Sequence, residues 1–503
     1  LRRSFERRRC ASGALAVAAV FLFVFPLAIF VDMSFGDDWT YLTVSEIKSY
    51  ASSEISDAYG EVWNFAVSET LILKLFPDIL IFWGAVYLVS AAALLAHVCP
   101  ALHAFFRTRL PAAGGRSVGQ LLLMGCFVAL LLGEACYWYL DHGWHSESIS
   151  SKTWQERLAR TLGQLANVTM ALLVLPTARN GVFETVFGVG WESLIAYHRA
   201  MGLTFMALIF AHMCLWWKVY AQNGDFAHDW PIAIPMDYNS DNFTVPLATL
   251  TYWTMLVTHG ILALEWVRRR HFEVFYYAHH FFLVVWIVML WHAQSAWYYI
   301  VASLAFWALD RAFRFSRGLA RVCVADVSVC HDVVRLAYRA EAGGSGAAWL
   351  GSGGGGNGGG LPLVHGAGQY CFVNIPAISM LQWHPFSISS APGDDVTTHH
   401  MKSMGDGTFT GRLASGGGGG WTVNVDGPYG LPLSFSRYRR VVFVAGGIGV
   451  TPCHSCIRHL AALAADGGLN DCLEDGVRLA WASRGGHEFA LFADSLRAAV
   501  ADP

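Results

Sequence analysis

The pattern of apolar and polar positions divides the chain into two parts. Up to about residue 317, apolar runs alternate with short polar connections, and about 20 predominantly apolar residues are enough to cross a bilayer. The pattern predicts eight spans, at about 11–31, 71–98, 118–140, 160–177, 191–218, 246–267, 275–297 and 298–313, with Gln164 and Asn167 interrupting the fourth. From about Arg321 the pattern changes to short β-rich runs, VCVADVSV, VVRLAY, QYCFVNI, WTVNV and VVFVAGG, separated by turns. Such runs predict a β-barrel followed by an α/β unit. Glycine tracts at 351–360 and 415–420 read as flexible insertions within loops.

Charge gives these spans a direction. The basic stretch Leu1–Arg9 precedes the first span, and Arg107, Arg109, Arg116, Arg268, Arg269, Arg270, Arg311, Arg314 and Arg317 all fall on the same side when alternate loops are counted. By the positive-inside rule that side, with the N-terminus, is cytosolic. The acidic loop 32–70 and the Asp- and Asn-rich loop 219–244 then face outward, and the fifth and seventh spans run in the same direction. No small-residue cleavage site follows the first apolar run, so it reads as a membrane helix and not as a removed signal peptide.

Composition agrees with a membrane protein that carries a further domain. Of 503 residues, 54% are hydrophobic and 14% charged, and the mean hydropathy is +0.40. The net charge of −3 says nothing about partners, because the charge is unevenly placed. Eleven scattered cysteines form neither a disulfide framework nor a zinc site. Cys453 and Cys456, at the start of a predicted helix, read as an incidental C-x-x-C.

The chemistry inside the membrane part rests on histidine. His198 and His212 lie fourteen positions apart in the fifth span. They return to nearly the same helix face about 21 Å apart along the axis. Imidazoles buried at two depths are costly without a use, and axial ligation of haem iron is one. One helix supplies one ligand per haem, so a partner is required, and the seventh span offers His279, His280 and His292. A lone histidine of this kind is more often a stacking or snorkelling side chain; two paired sets in one bundle favour haem. On an ideal helix His279 and His292 are about 140° apart and His280 and His292 about 120°. Spacing therefore does not choose between His279 and His280, and requires local distortion or different haem azimuths.

Two motifs mark the second part. WHPFSISSAP, Trp383–Pro392, lies beyond GQY at Gly368–Tyr370 and ahead of a glycine-rich turn. That setting favours flavin binding, with hydroxyls such as Ser387 able to hydrogen-bond the ring. In VVFVAGGIGVTP, Val441–Pro452, a buried strand runs into Gly446, Gly447 and Gly449 and a helix begins near Thr451. Open backbone N–H groups and a helix N-terminus there suit a pyrophosphate. A Walker loop is excluded, because its Gly-Lys-Ser/Thr ending is missing.

From about Gly188 to the C-terminus, the histidine helices, HPFSISS and AGGIGVTP together resemble the ferric reductase and NADPH oxidase family of transmembrane flavocytochromes. The resemblance implies four modules: membrane helices with an outer loop over 1–180, haem-binding helices over 181–317, an FAD-binding β-barrel over 318–436, and an NADPH-binding α/β domain over 437–503. It implies two b-type haems held by His198, His212, His279 and His292, and so selects His279, which spacing did not. It places His384, Pro385, Phe386, Ser387 and Ser389 at FAD, with Ser387 the catalytic candidate. Lys402 stands where the family has an arginine near the FAD phosphates, a change that loses bidentate geometry. Gly446, Gly447, Gly449, Thr451 and Pro452 would hold NADPH, with GPYG (Gly427–Gly430) leading in and Arg484 reaching the 2′-phosphate. The family's later Cys-Gly-Pro motif and C-terminal aromatic residue have no counterpart before Pro503, which implies a fragment or an incomplete NADPH site.

The expected activity is transfer of electrons from cytosolic NADPH through FAD and two haems to an acceptor outside, in the plasma membrane. Eight predicted spans, where the oxidases have six, favour ferric chelates over oxygen as acceptor. The rival from another class is a haem-free transporter with a nucleotide-binding domain, its histidines serving as proton relays. Nucleic acid is not an expected partner, and no protein subunit is indicated.

Overall fold

The computed structural model describes residues 69–140, 153–177, 182–223, 244–293, scattered positions between 296 and 314, and, with short gaps, 322–339, 363–416, 420–467 and 473–501. The expected first span, the acidic loop 32–70, most of the loop 219–244, the glycine tract 351–360 and much of the eighth span lie outside the described residues. The described residues divide into two compact units, one ending at Leu309 and one beginning at Asp310.

The first unit is helical: α1 (Glu69–Val98), α2 (Pro100–Arg107), α3 (Val118–Leu140), α4 (Trp154–Leu173), α5 (Trp191–Asn223), α6 (Thr244–Met255), α7 (Glu265–Arg270), α8 (Phe272–His279) and α9 (Phe282–His292). Among the described residues four helices are long and apolar enough to cross a membrane, or five if the bent α1–α2 pair is one span. The fourth span starts earlier than its apolar run, because Thr153 and Glu156 form a capping box at its N-terminus. Its polar residues find partners within the bundle: Asn167 Nδ2 donates to Gln164 Oε1 at 3.2 Å. This helix is the most buried of the spanning set and packs along α5.

Two expected spans are broken. The sixth divides into α6, a π-helical segment Leu256–Ile261 and the short α7. In that segment Leu262 N–H reaches back to Val257 O at 2.9 Å. The seventh is interrupted at His280 and Phe281 between α8 and α9, which is the local distortion that the histidine spacing demands. The bundle core gathers Phe82, Trp83, Leu130, Val168, Met170, Phe205, Met213, Met255, Trp286 and Tyr299. Apolar side chains such as Leu88, Leu132, Leu203 and Ile287 remain exposed on its outside, as a lipid-facing surface requires.

The second unit begins with an antiparallel sheet of β1 (Val322–Cys330), β2 (Val333–Tyr338), β3 (Tyr370–Asn374), β4 (His384–Ser387), β5 (Thr397–Lys402) and β6 (Gly420–Tyr429), in the order β4-β3-β6-β1-β2-β5. Inward positions alternate along the strands and bury Val327, Val334, Leu336, Val373, Val423 and Val425 with Leu413 of helix α10 (Phe409–Ser415). The edges meet just beyond β4: Ser389 N–H donates to Thr398 O at 2.8 Å, and His399 Nδ1 donates to Ser387 O at 2.9 Å. The sheet thus closes as a barrel. The α/β part follows, with β7 (Val441–Gly446) parallel to β8 (Val477–Ala482) and helices α11 (Val450–Ala465) and α12 (Gly486–Ala501). Val442 and Val444 remain exposed on the strand face away from the buried Phe443 and Ala445, whereas parallel sheets are ordinarily covered on both faces.

Candidate functional site

In the helical unit the predicted histidines meet in pairs at two levels. His198 and His279 have ring centres 6.0 Å apart, with planes inclined at 75°. His212 and His292 are 6.4 Å apart, inclined at 84°. Early meets early and late meets late, so α5 and the α8–α9 segment run parallel, as the loop charges predict. An atom bonded to both imidazoles at about 2 Å would separate the ring centres by roughly this much. His280 instead turns back on its own helix, Nδ1 donating to Tyr276 O at 2.8 Å.

The rings on α5 are held by the neighbouring helix. His198 Nδ1 donates to Leu173 O at 2.8 Å, and His212 Nδ1 donates to Ala159 O at 2.7 Å. The two carbonyls on α4 are fourteen residues apart, as are the two histidines on the antiparallel α5, so one register serves both levels. Each bond sets the tautomer and leaves Nε2 with a lone pair, the form in which histidine binds a metal. Gly163 supplies the space for His212: a Cβ there would lie 2.8 Å from Cε1 and 2.9 Å from Nδ1 of that ring. The sequence reading assigned α4 no role, because the groups that hold the rings are backbone carbonyls.

It also passed over His259, in the π-helical segment. Its ring lies 4.3 Å from that of His279, tilted by 40°. A single histidine in an apolar run carries no periodic signal. No group of three or more His, Cys, Asp or Glu side chains suited to one metal ion occurs among the described residues.

In the second unit the flavin-type motif lies on an edge of the sheet. Asn374, 2% exposed, donates through Nδ2 to Ser379 O at 2.7 Å and Gln382 O at 2.8 Å. These bonds shape the loop that delivers β4. His384 packs on Phe409 with ring centres 4.3 Å apart; Pro385 is exposed, and Phe386 and Ser387 are half-buried. The GQY and GPYG motifs, remote in sequence, meet where Gln369 Nε2 donates to Gly430 O at 2.7 Å. Ser389, by contrast, is buried inside the unit, its hydroxyl engaged with Thr398 O at 2.9 Å and His400 Nδ1 at 2.8 Å.

A polar seam joins barrel and α/β part through that segment. His454 Nδ1 donates to Ser389 O at 2.8 Å, and Ser455 Oγ donates to Ser390 O at 2.6 Å. Arg458 grips Asp394 with both nitrogens, at 2.6 and 3.0 Å. Burial lowers the His454 pKa. It also pushes His399 down to about 4. His400 falls to about 3, through burial first and then the charge of Arg335. His399 is satisfied as a neutral ring, donating to Ser387 O and lying 3.0 Å from the Tyr338 hydroxyl.

At the glycine turn, Gly446 and Gly449 have open space where a Cβ would stand, and Gly447 adopts φ +51°. Trp481 Nε1 donates to Gly447 O at 2.9 Å, and Thr451 and Pro452 begin α11 behind it. Lys402, expected near the FAD phosphates, has its ammonium 2.9 Å from Asp332 and 3.3 Å from Glu488. Glu488 is buried, bonded to Ser483, with a carboxylate oxygen 3.6 Å from the Cβ position of Gly447. Arg484 is exposed in the bend after β8. Burial pushes the Cys456 thiol up to about 12, first among its causes, so the C-x-x-C carries no reactive thiolate at neutral pH.

A helical unit with paired intramembrane histidines, followed by a closed antiparallel barrel and a glycine-turn α/β part, defines a membrane flavoprotein oxidoreductase class. The description "Ferric reductase like transmembrane component" matches residues 162–290, "FAD-binding domain" matches 361–433, and "Ferric reductase NAD binding domain" matches 438–502. The chain belongs to the ferric reductase and NADPH oxidase family. It is 30% identical over 370 residues to ferric reduction oxidase 2 of Arabidopsis thaliana, covering 69% of this chain and 46% of that protein. It is 25% identical over 374 residues to a superoxide-generating NADPH oxidase heavy chain of Dictyostelium discoideum, covering 66% of this chain and 68% of that one. The chain thus spans about half the length of the plant relative. Among solved structures, a flavohemoglobin from Malassezia yamatoensis overlaps at TM-score 0.29 and 14% identity, covering 69% of this chain and 79% of that one.

Proposed function

We propose that the chain moves electrons across a membrane, from NADPH through FAD and two haems to a ferric chelate on the far side. The observation that carries this reading is the pairing of His198 with His279 and of His212 with His292 at 6.0 and 6.4 Å. The donor set fits haem. Two of the four imidazoles are tautomer-locked with Nε2 left for iron, and both rings on the other helix are half-buried. The chemistry supplied by bound FAD and haem is hydride acceptance followed by one-electron transfer. The protein's part is placement: α4 orients the two imidazoles of α5, and the fourteen-residue interval sets the two levels about 21 Å apart, which suits a hydrocarbon core about 30 Å thick.

In the second unit, His384, Pro385, Phe386 and Ser387 line the edge where the flavin would be held, with Ser387 as the hydroxyl that would hydrogen-bond its ring. Gly446, Gly447, Gly449, Thr451 and Pro452 would receive the dinucleotide, and Arg484, exposed beside them, would take the 2′-phosphate that distinguishes NADPH. Ser389 supports this site from inside the fold, and Lys402 joins β5 to α12. The modules are read as helices 1–180, haem-bearing helices 181–317, flavin barrel 318–436 and dinucleotide domain 437–503, with the N-terminus and flavin unit cytosolic and the plasma membrane as location. Similarity to the Dictyostelium oxidase favours oxygen as the second reading of the acceptor.

Membranes carrying the full chain, supplied with NADPH and a ferric chelate, test the acceptor. Chelate reduction unaffected by superoxide dismutase is expected. Reduction abolished by that enzyme, with matching superoxide release, would transfer the protein to the oxidases.

A further inference from the structure

The two histidine levels are not equivalent. Among the described residues the His212 level has two imidazoles, whereas at the His198 level a third, His259, lies against His279 with ring centres 4.3 Å apart. One tautomer of His259 suits the local hydrogen bonds. Thr258 Oγ1 donates to Thr254 O at 2.9 Å, which uses its only proton. With that proton so used, the 2.8 Å contact between Thr258 Oγ1 and His259 Nδ1 is an Nδ1–H donated to the hydroxyl, which is the tautomer taken here. Nε2 of His259 then carries a lone pair, and that atom is buried with no hydrogen-bond partner among the described residues. This is the arrangement of His198 and His212, whose Nδ1 atoms are also tied down. His279, in contrast, has its Nδ1 buried and unpartnered.

The backbone at His259 departs from the regular α-helix. The residue sits inside the π-helical segment Leu256–Ile261, and π-bulges within helices are frequent at functional sites. Gly260 brings this segment close to α5, since a Cβ there would lie 3.2 Å from Met206 Cε. A buried imidazole with an unused lone pair is costly unless something takes it up.

Resting on the haem reading above, we propose that His259 is a reserve axial ligand: when His279 is lost, His259 Nε2 bonds the iron opposite His198. Among the described residues the His212 level has no such reserve. One Fe–N bond replaces another, with no change in oxidation state and no proton released, because Nε2 is already deprotonated.

The test is haem per chain, by pyridine haemochrome, with low-spin EPR on the same detergent-purified full-length samples. Wild type and His259→Ala give two haems. His279→Ala and His279→Asn also give two, both low-spin, whereas His259→Ala/His279→Ala gives one and His292→Ala gives one. Loss of one haem in the His279 variants overturns the proposal, as does retention of two in the double variant. Failure of both His279 variants to accumulate where His292→Ala accumulates overturns it too, because a reserve ligand implies tolerance. A wild-type chain without haem defeats the underlying reading itself.

Discussion

Gly163→Ala is the substitution whose consequence can be worked out most fully from the structure. The added methyl would lie 2.8 Å from Cε1 and 2.9 Å from Nδ1 of His212, inside any normal carbon contact. The ring cannot yield freely, because Nδ1 is held by Ala159 O at 2.7 Å on the turn before Gly163. Either the ring leaves that carbonyl or α4 and α5 separate. Overpacking costs about 1–3 kcal/mol and loss of the orienting bond about 0.5–1.5 kcal/mol, while replacing a helical glycine returns about 1 kcal/mol. The net expectation is destabilisation by about 0.5–3.5 kcal/mol, with the damage concentrated at His212. Gly125→Ala on α3 is the control, since nothing lies within 4 Å of its Cβ position. Haem stoichiometry and EPR of purified protein, with a thermal melt, read both variants. Gly163→Ala should lose or perturb the haem of the His212 level only and melt lower than the control. Two unperturbed haems and a melt matching that of Gly125→Ala would refute the reasoning.

Three further outcomes are expected. Acid should weaken the second unit: His399 and His400 are held neutral down to about pH 4 and 3, whereas an unfolded histidine protonates near pH 6.5. The unfolded chain then binds more protons below that value, and stability falls with falling pH by up to about 1.4 kcal/mol per unit for each histidine; a urea midpoint unchanged between pH 7.5 and 5 would contradict this. Arg484→Ala should raise KM for NADPH while leaving KM for NADH unchanged, and equal effects on both would remove its 2′-phosphate role. Arg458→Ala removes the two-point grip on Asp394 and should lower the stability of the second unit in urea by about 1 kcal/mol, with no change in haem content; an unaltered midpoint would show the seam to be held by His454 and Ser455 instead.

What could be read from the chain was the part with a period or a local motif. The fourteen-residue spacing of His198 and His212 gave one side of both pairs, and the strand–glycine–helix pattern at Val441–Pro452 gave the nucleotide turn. His279 and His280 were inseparable by spacing because an ideal helix was assumed, whereas the chain breaks at His280 and Phe281 and turns only His279 toward His198. The contribution of α4 was hidden for a different reason. Backbone carbonyls at Ala159 and Leu173 hold the rings, and a carbonyl has no sequence signature. The resemblance puts Lys402 near the FAD phosphates, while its ion pairs with Asp332 and Glu488, far away along the chain, have no signal in HMKSMGDGTFT. Ser389 shares a motif with Ser387, but it lies beyond the end of β4, where the chain leaves the strand and its hydroxyl is buried while Ser387 stays half-buried.

The central claim is that two imidazole pairs hold two haems, and haem per chain in the purified, reduced protein measures it most directly. The account predicts two per chain with a sharp α band, falling to one in His212→Ala and in His292→Ala. A wild-type chain with none, or two retained after either substitution, would contradict it.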